Sequence, residues 1–455
     1  MNINVELIYN NTYKFTQFTY SVPKSLQNKI KIGSIVNVNF RNKEYKAVVV
    51  DLINKYNNNH KILDINSYLY NLTNEQILYL KYLAVSNFLN IGILLSQYED
   101  LNVLISQNIL NKSKYSIHPL NNLIDDLRKE RKNLIFVDSI KKCSEINELL
   151  KRNNINLDFY QKTGGKAEIE NFILKNKKFN NICVLGHNFN LLKLNKDVTY
   201  TFYDINNISY CLPKLNNISI IESALYKNSI FGGSFKFYSE FPPLDLFTNV
   251  DNFKNLSKYE NLTYLNGNSL DDCVDLFNKW LENKDYSFFT FSEIIKEKLN
   301  ELNFTNKLNS KNTEKFIILN PKINYKDTLN SLRLISLIRQ LEYCKNNNIE
   351  VIILSTKDID INNSFSFENL KILSRNEILE RNNYGPSINK KVYSFNTTKD
   401  DKKINKSKYI IGPRKVNNLF QYEMNIILSK NLNYNDVMDL FSSTNNFSPK
   451  KVRNI

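Results

Sequence analysis

A phosphate-binding loop needs glycines whose backbone N–H groups close around the phosphates, a lysine for the β and γ oxygens, and a serine or threonine for Mg²⁺. The nearest approach in this chain is Gly164-Gly165-Lys166, the only place where lysine follows glycine. It lacks both the leading glycine and the trailing hydroxyl, no glycine stands between Gly92 and Gly164, and the tripeptide reads as a turn before a helix. The three histidines, His60, His118 and His187, fit no metal spacing such as H-E-x-x-H, and each reads as a surface or packed residue. There is no G-x-S-x-G elbow to carry a hydrolase triad. The five cysteines, Cys143, Cys183, Cys211, Cys273 and Cys344, never form a C-x-x-C pair. That disfavours zinc ribbons and redox dithiols and suits reduced thiols acting as small buried hydrophobes. No metal and no cofactor are expected.

The remaining chemistry is charge. Lys and Arg total 61 against 45 Asp and Glu, a net charge of +16 over 455 residues. With a pI near 9.3, counterion release favours a polyanionic partner, nucleic acid first. The sequence is also crowded with Asn, Lys, Ile and Tyr, as an AT-biased genome would produce, and such drift raises charge without selecting a ligand. Composition alone leaves both readings open. Apolar residues at 42% and charged residues at 23% are those of an ordinary globular protein, long enough for about three domains. Met1 to Asn11 holds no signal-peptide core, and runs such as Phe316 to Leu319 and Val351 to Leu354 are too short to cross a bilayer. A cytoplasmic location without a membrane partner is expected.

The elements that would position any site follow from periodicity. From Met1 to about Asn66 short apolar alternation is broken by Pro23, Gly33 and Asn-rich turns. Ile32 to Phe40 and Tyr45 to Val50 read as two strands joined by a polar turn, giving a small β domain. Thr73, with Gln76 three residues on, can cap a helix carrying Ile77, Leu80, Leu83, Ala84, Phe88 and Leu89, ending near Gly92. Beyond Asn111 to Ser116 strands alternate with helices, the signature of a parallel α/β sheet. Strands are expected at Leu134 to Val137, Leu157 to Tyr160, Ile182 to Leu185 and Val198 to Tyr203, with helices over Ser144 to Arg152 and Lys166 to Leu174. A second alternating block has a helix at Leu270 to Trp280, strands at Phe316 to Leu319 and Val351 to Leu354, and a helix at Leu329 to Cys344. The last segment mixes strands at Lys391 to Phe395, Tyr409 to Ile411 and Phe420 to Ile426 with a short helix at Asn435 to Phe441.

Phe18-Thr19-Tyr20-Ser21-Val22-Pro23, then Gly33 to Phe40, then Ala47 to Val50, is similar to the opening of primosomal protein N′, the helicase family that reloads replication forks. Asn87 to Gly92 resembles that family's tyrosine-rich helix end. Tyr203-Asp204-Ile205-Asn206-Asn207-Ile208-Ser209-Tyr210 aligns without gaps to the family's Asp-Glu-Glu-His-Asp-Ser-Ser-Tyr, and Ile230 to Ser234 stands where Leu-Gly-Ser-Ala-Thr is expected. Tyr384-Gly385-Pro386 and Ile410 to Pro413, followed by Phe420-Gln421-Tyr422, resemble its later turns. The winged helix and the phosphate loop fall in a large deletion.

The resemblance implies an α/β fold: a small N-terminal β DNA-binding domain over 1–105, a linker over 106–124, degenerate RecA-like helicase lobes over 125–247 and 248–383, and a small α+β C-terminal domain over 384–455. It implies that Phe18 and Tyr20 wall the terminal nucleotide at a DNA 3′ end, and that Arg41, Lys43, Lys46 and Lys61 contact phosphates. Thr19 replaces the family's acid and Arg41 its glycine after Pro-Phe. The motor is expected to be lost. The metal-binding acid falls on Tyr203 and the water-polarising acid on Ile205, leaving Asp204 and Asn206 in a box that can do no such chemistry. Gln340 to Cys344 carries no arginine where the family has its finger, and the paired zinc cysteines are missing. The function implied is replication-restart binding of forked or single-stranded DNA alongside other replication or primosome proteins, without ATPase activity. The rivals are a protein-docking scaffold with no DNA role and an active ATP-dependent 3′–5′ helicase.

Overall fold

The computed structural model describes residues 1–9, 15–53, 62–96, 113–129, 132–160, 180–186, 189, 194–205, 211–212, 218–239, 262–281, 286–290, 315–319, 337, 340–341, 343–345, 347–356, 390–397, 410–416, 419–428, 431–444 and 450–451. The expected helix at 166–174 lies outside these residues, as do Gly164 to Lys166, His60 and His187.

The N-terminal strands are β1 (Asn2–Leu7), β2 (Phe18–Ser21), β3 (Ser34–Phe40), β4 (Lys43–Ile53) and β5 (Ser67–Asn71), in an antiparallel sheet of order β2-β1-β4-β3-β5. The expected hairpin is β3–β4, its register running from Ile35 opposite Val48 to Phe40 opposite Lys43. Alternation sends Ile3, Val5, Tyr20, Val36, Val38, Ala47 and Val49 into one core. Helix α1 (Asn74–Ser86) starts where the sequence places it. Thr73 accepts from the Gln76 N–H while the Gln76 side chain accepts from the Thr73 N–H, a complete capping box. The helix stops at Ser86, short of Gly92, because Asn87 caps it and Phe88 turns left-handed at φ 55°; Gly92 belongs to α2 (Ile91–Leu95), capped by Asn90.

Lobe one is a six-stranded parallel sheet of order β6-β13-β10-β7-β9-β8. Its elements are β6 (Ser113–Pro119), α3 (Leu123–Lys129), β7 (Asn133–Val137), α4 (Ile140–Arg152), β8 (Asp158–Tyr160), β9 (Asn181–Leu185), β10 (Thr199–Tyr203), a short pair β11 (Cys211–Leu212) and β12 (Ile218–Ser219), α5 (Ile220–Phe231) and β13 (Gly233–Ser239). The expected linker over 106–124 is corrected here. Ile117 is buried while Ser116 and His118 alternate onto the other face, so 113–119 reads as an edge strand and pairs parallel with β13. The sheet is knit by a stack of rings, Phe136 to Phe202 at 4.8 Å and Phe202 to Phe237 at 5.1 Å.

The second unit, residues 240–383, carries β14 (Leu262–Asn266), α6 (Leu270–Leu281), β15 (Tyr286–Thr290), β16 (Lys315–Leu319) and β17 (Glu350–Ser355). Its four strands are parallel in the order β14-β17-β16-β15, around Phe277, Ile317 and Ile352. Both are parallel sheets with helices in their connections, as in an α/β protein. The C-terminal strands β18 (Lys390–Thr397), β19 (Ile410–Val416), β20 (Leu419–Ile427) and β21 (Lys450–Lys451) form an antiparallel sheet, with α7 (Tyr434–Thr444) between β20 and β21. Residues 1–239 and 384–455 make up one compact unit.

Within that unit α1 is buried almost all round, as a helix without a polar face must be. One side meets α2, which packs on β1 and β4; the other meets α5, where the Tyr79 hydroxyl lies 2.6 Å from Ser223 Oγ and Ser86 Oγ 3.0 Å from the Tyr226 hydroxyl. Tyr226 in turn donates to Glu222 at 2.7 Å, so this buried polar seam is satisfied. A second seam joins the C-terminal segment. Glu6, 1% exposed, accepts from the Gly92 N–H (3.2 Å), from Gln17 (3.4 Å) and from the Tyr434 hydroxyl (3.2 Å), while Tyr434 accepts from the Ile91 N–H at 2.9 Å. Among the described residues no helix is long and apolar enough to cross a membrane.

Candidate nucleic-acid interface

At the end of the N-terminal sheet where β3 turns into β4, the core face runs out into a row of rings. Phe18 lies 4.5 Å from Phe40, Phe40 lies 6.3 Å from Tyr45, and Tyr45 lies 5.4 Å from Tyr9. Phe18, Phe40 and Tyr45 are half-buried and Tyr9 is 48% exposed. Phe18, Phe40 and Tyr45 also pack against the core of the sheet.

The turn beside them is Arg41-Asn42. Because Phe40 pairs with Lys43, the loop has two residues, and both adopt left-handed backbone, φ 50° at Arg41 and 63° at Asn42. This is the primed-turn geometry that matches strand twist and that glycine, asparagine or aspartate adopt most readily. Asn42 fits; arginine pays roughly 1–2 kcal/mol for it. The conformation brings the Arg41 guanidinium to 5.4 Å from the Phe40 ring centroid, a cation–π distance.

The residues expected to hold DNA divide accordingly. Phe18, Arg41 and Lys43 come together around the ring row, Lys43 exposed and on the same side of the hairpin as Phe40 and Tyr45. Lys46 is exposed but alternates onto the other side, opposite Asn37 and next to Glu44, which accepts from Asn66 at 2.8 Å. Lys61 lies outside the described residues. Tyr20 requires correction as a base-stacking wall: it is 4% exposed, packs in the core, and spends its hydroxyl on the Asn39 carbonyl at 2.8 Å. Thr19 is engaged with Asn4 Oδ1 at 2.8 Å across the β1–β2 pair. Phe40, Tyr45 and Tyr9 were missed because an aromatic at a strand end reads in sequence as core; the signal that could have found them is the Arg-Asn turn, which puts a cation against the last ring.

The residues expected to be the remnant of the family's acidic box, 203–206, begin at the last residue of β10. Tyr203 is half-buried on the core of lobe one, Ile205 is buried, and its N–H bonds the Tyr238 carbonyl at 3.1 Å. Asp204 ends the strand in left-handed backbone, φ 58°, and its carboxylate lies 3.6 Å from Lys142 Nζ, an ion pair with the first turn of α4. Asn206 lies outside the described residues. At the sheet edge His118 stacks on Tyr238 at 5.3 Å, and Asp126 accepts from the Tyr238 hydroxyl at 2.7 Å with His118 Nδ1 at 3.5 Å and Lys236 Nζ at 3.7 Å. Burial holds the His118 imidazole below its usual pKa, against the pull of Asp126, so its place is packing. Among the described residues no three His, Cys, Asp or Glu side chains are grouped to hold a metal.

Residues 8–97 match the family described as the 3′ DNA-binding domain (3′BD) of PriA. No curated protein matches the chain. Among solved structures, RecG bound to a three-way DNA junction is similar at 10% identity and a TM-score of 0.33, over 70% of this chain and 48% of that one. The Arterivirus nonstructural protein 10 helicase with DNA is similar at 7% identity and 0.26, over 56% and 63%, and the same helicase alone at 8% and 0.28, over 80% and 79%. The chain thus spans about half the length of the RecG structure. The fold class rests on the strand orders above, and the DNA-binding domain on the match over 8–97.

Proposed function

We propose that this chain is a replication-restart type DNA-binding protein that engages forked or single-stranded DNA through its N-terminal domain and no longer hydrolyses ATP. The observation that carries the reading is that the 3′ DNA-binding domain match over 8–97 covers the β3–β4 hairpin, whose turn sets Arg41 against a row of rings. A net charge of +16 adds a sequence-independent attraction to the backbone of any nucleic acid.

Loss of the motor is supported by what stands at the first strand–turn–helix of lobe one. A phosphate loop needs glycine amides followed by a helix N-terminus whose dipole favours anions. Here the turn after β6 is Leu120-Asn121-Asn122, without glycine, and α3 carries Asp125 and Asp126 in its first turn, charge of the wrong sign for a triphosphate. Asp204, the one acid kept in the degenerate box, is paired with Lys142.

The test is affinity for a fork with a free leading-strand 3′ end, compared with blunt duplex at the same salt, together with ATP turnover with and without DNA. Fork binding that weakens steeply with salt and no DNA-stimulated turnover is expected. Equal, weak binding to both DNAs would reject the reading in favour of a protein-docking scaffold, and DNA-stimulated turnover would reject the loss of the motor.

A further inference from the structure

We infer that Cys143 and Cys183 are a redox pair inside lobe one, which hydrogen peroxide oxidises to a disulfide tying α4 to β9. The inference is independent of the DNA-binding reading above.

No C-x-x-C spacing marks the pair, whose members stand 40 residues apart; the fold brings them together. Cys183 is the middle residue of β9, opposite Ile135 of β7 and Phe159 of β8. Strand alternation turns it into the core that also holds Ile135, Val137 and Leu185. Helix α4 lays Cys143, Ile146 and Leu150 on that same core. The two sulfurs lie 3.6 Å apart, in van der Waals contact, and an approach of about 1.5 Å makes a disulfide bond.

The two thiols differ in a way that assigns their order. The hydrogen bond from the Cys183 thiol holds Cys143 below the usual thiol pKa, against burial and the charge of Asp138. The same contact and burial push Cys183 well above it. Cys143 is therefore the attacking sulfur, since the thiolate is the nucleophile. Its thiolate attacks one peroxide oxygen, the O–O bond breaks, and a sulfenic acid forms as the first water leaves with the Cys143 proton. The Cys183 sulfur then attacks the sulfenic sulfur, the S–O bond breaks, and the second water leaves with the Cys183 proton. Two electrons pass from the sulfurs to the peroxide, so that two thiols and one hydrogen peroxide give one disulfide and two waters. Neither side chain is exposed to solvent, so local opening of α4 admits a small oxidant and excludes a bulky one such as oxidised glutathione.

The experiment treats the full chain with hydrogen peroxide, removes the excess with catalase, alkylates with N-ethylmaleimide in denaturant and maps the peptides by mass spectrometry. A cross-link between the Cys143 and Cys183 peptides is expected, two hydrogens lighter than the reduced pair, and formed far faster by peroxide than by oxidised glutathione. Cys183→Ser should stop Cys143 at the sulfenic acid, trapped with dimedone, and Cys143→Ser should leave Cys183 reduced. Alkylation of both cysteines after peroxide would overturn the inference and return them to plain packing, as would a disulfide joining other cysteines in preference. Dimedone on Cys183 in the Cys143→Ser chain would overturn the assigned order. The cross-link is read on the wild-type chain, so its outcome does not depend on either variant folding.

Discussion

Glu6 is a carboxylate in a place that suits a neutral acid. Burial lifts its pKa from 4.5 to about 7, and the donated hydrogen bonds from Gly92, Gln17, Tyr434 and Ile91 pull it only part of the way back. Between those two values the folded chain keeps a proton that the unfolded chain has released, so stability falls as pH rises through that window. Glu6→Gln should abolish this fall. Urea midpoints measured from pH 5 to 8 check it; a slope unchanged by the substitution would count against a buried, titrating Glu6. Tyr20 offers a simpler test. Tyr20→Phe removes the hydroxyl from the Asn39 carbonyl and should cost about 1 kcal/mol of stability without loss of single-strand affinity. A large drop in affinity with unchanged stability would return Tyr20 to the interface.

At the scale of elements, α2 meets β1 so closely that a Cβ on Gly92 would collide with the Leu7 carbonyl oxygen, a backbone atom that cannot swing away. Gly92→Ala should therefore destabilise the protein by about 1–3 kcal/mol, seen as a lower thermal midpoint, whereas an unchanged midpoint would mean that α2 is free to shift. Nothing in the sequence announces that approach. Period and capping do announce α1, because Thr73 and Gln76 satisfy its first amides locally, and the β3–β4 hairpin, because alternation and turn length fix its register. The buried runs of lobe one, Leu134 to Val137 and Ile182 to Leu185, are legible as strands for the same reason: continuous apolar runs suit a sheet covered on both faces. β1 is less legible, since Glu6 interrupts its apolar end and two of its hydrogen-bond donors, Gly92 and Tyr434, lie far along the chain. The edge strand β6 looks like a linker because its polar residues find partners only in the fold: Ser116 Oγ lies 2.7 Å from His118 Nε2, and His118 Nδ1 lies 3.5 Å from Asp126. Phe18, Arg41 and Lys43 lie where alternation and turn length place them, but whether Tyr20 faces the core depends on the partner strand.

Over the whole molecule, a second buried group opposes the first. Lys227, 2% exposed with its ammonium 4.9 Å from the Phe189 ring centroid, has its pKa lowered by burial from 10.5 to about 7. Between about 7 and 10.5 the unfolded chain holds a proton that the folded chain lacks, so this lysine makes stability rise with pH. Glu6 and Lys227 together predict a shallow minimum in stability near neutral pH, and Lys227→Met should flatten its alkaline side in a series of denaturation midpoints; a monotonic profile in the wild type would contradict the pair. The polar seam along α1 makes a different prediction. A fragment of residues 1–105 would expose Tyr79, Tyr82 and Ser86, which are covered by α5 in the full chain, and should lose the sharp cooperative melt of the intact protein. A fragment melting as sharply and as high as the full chain would show the seam to be dispensable. If the seam holds, α1 is also a strut: α2 and α5 both pack on it, so a displacement of either passes through one helix into the other.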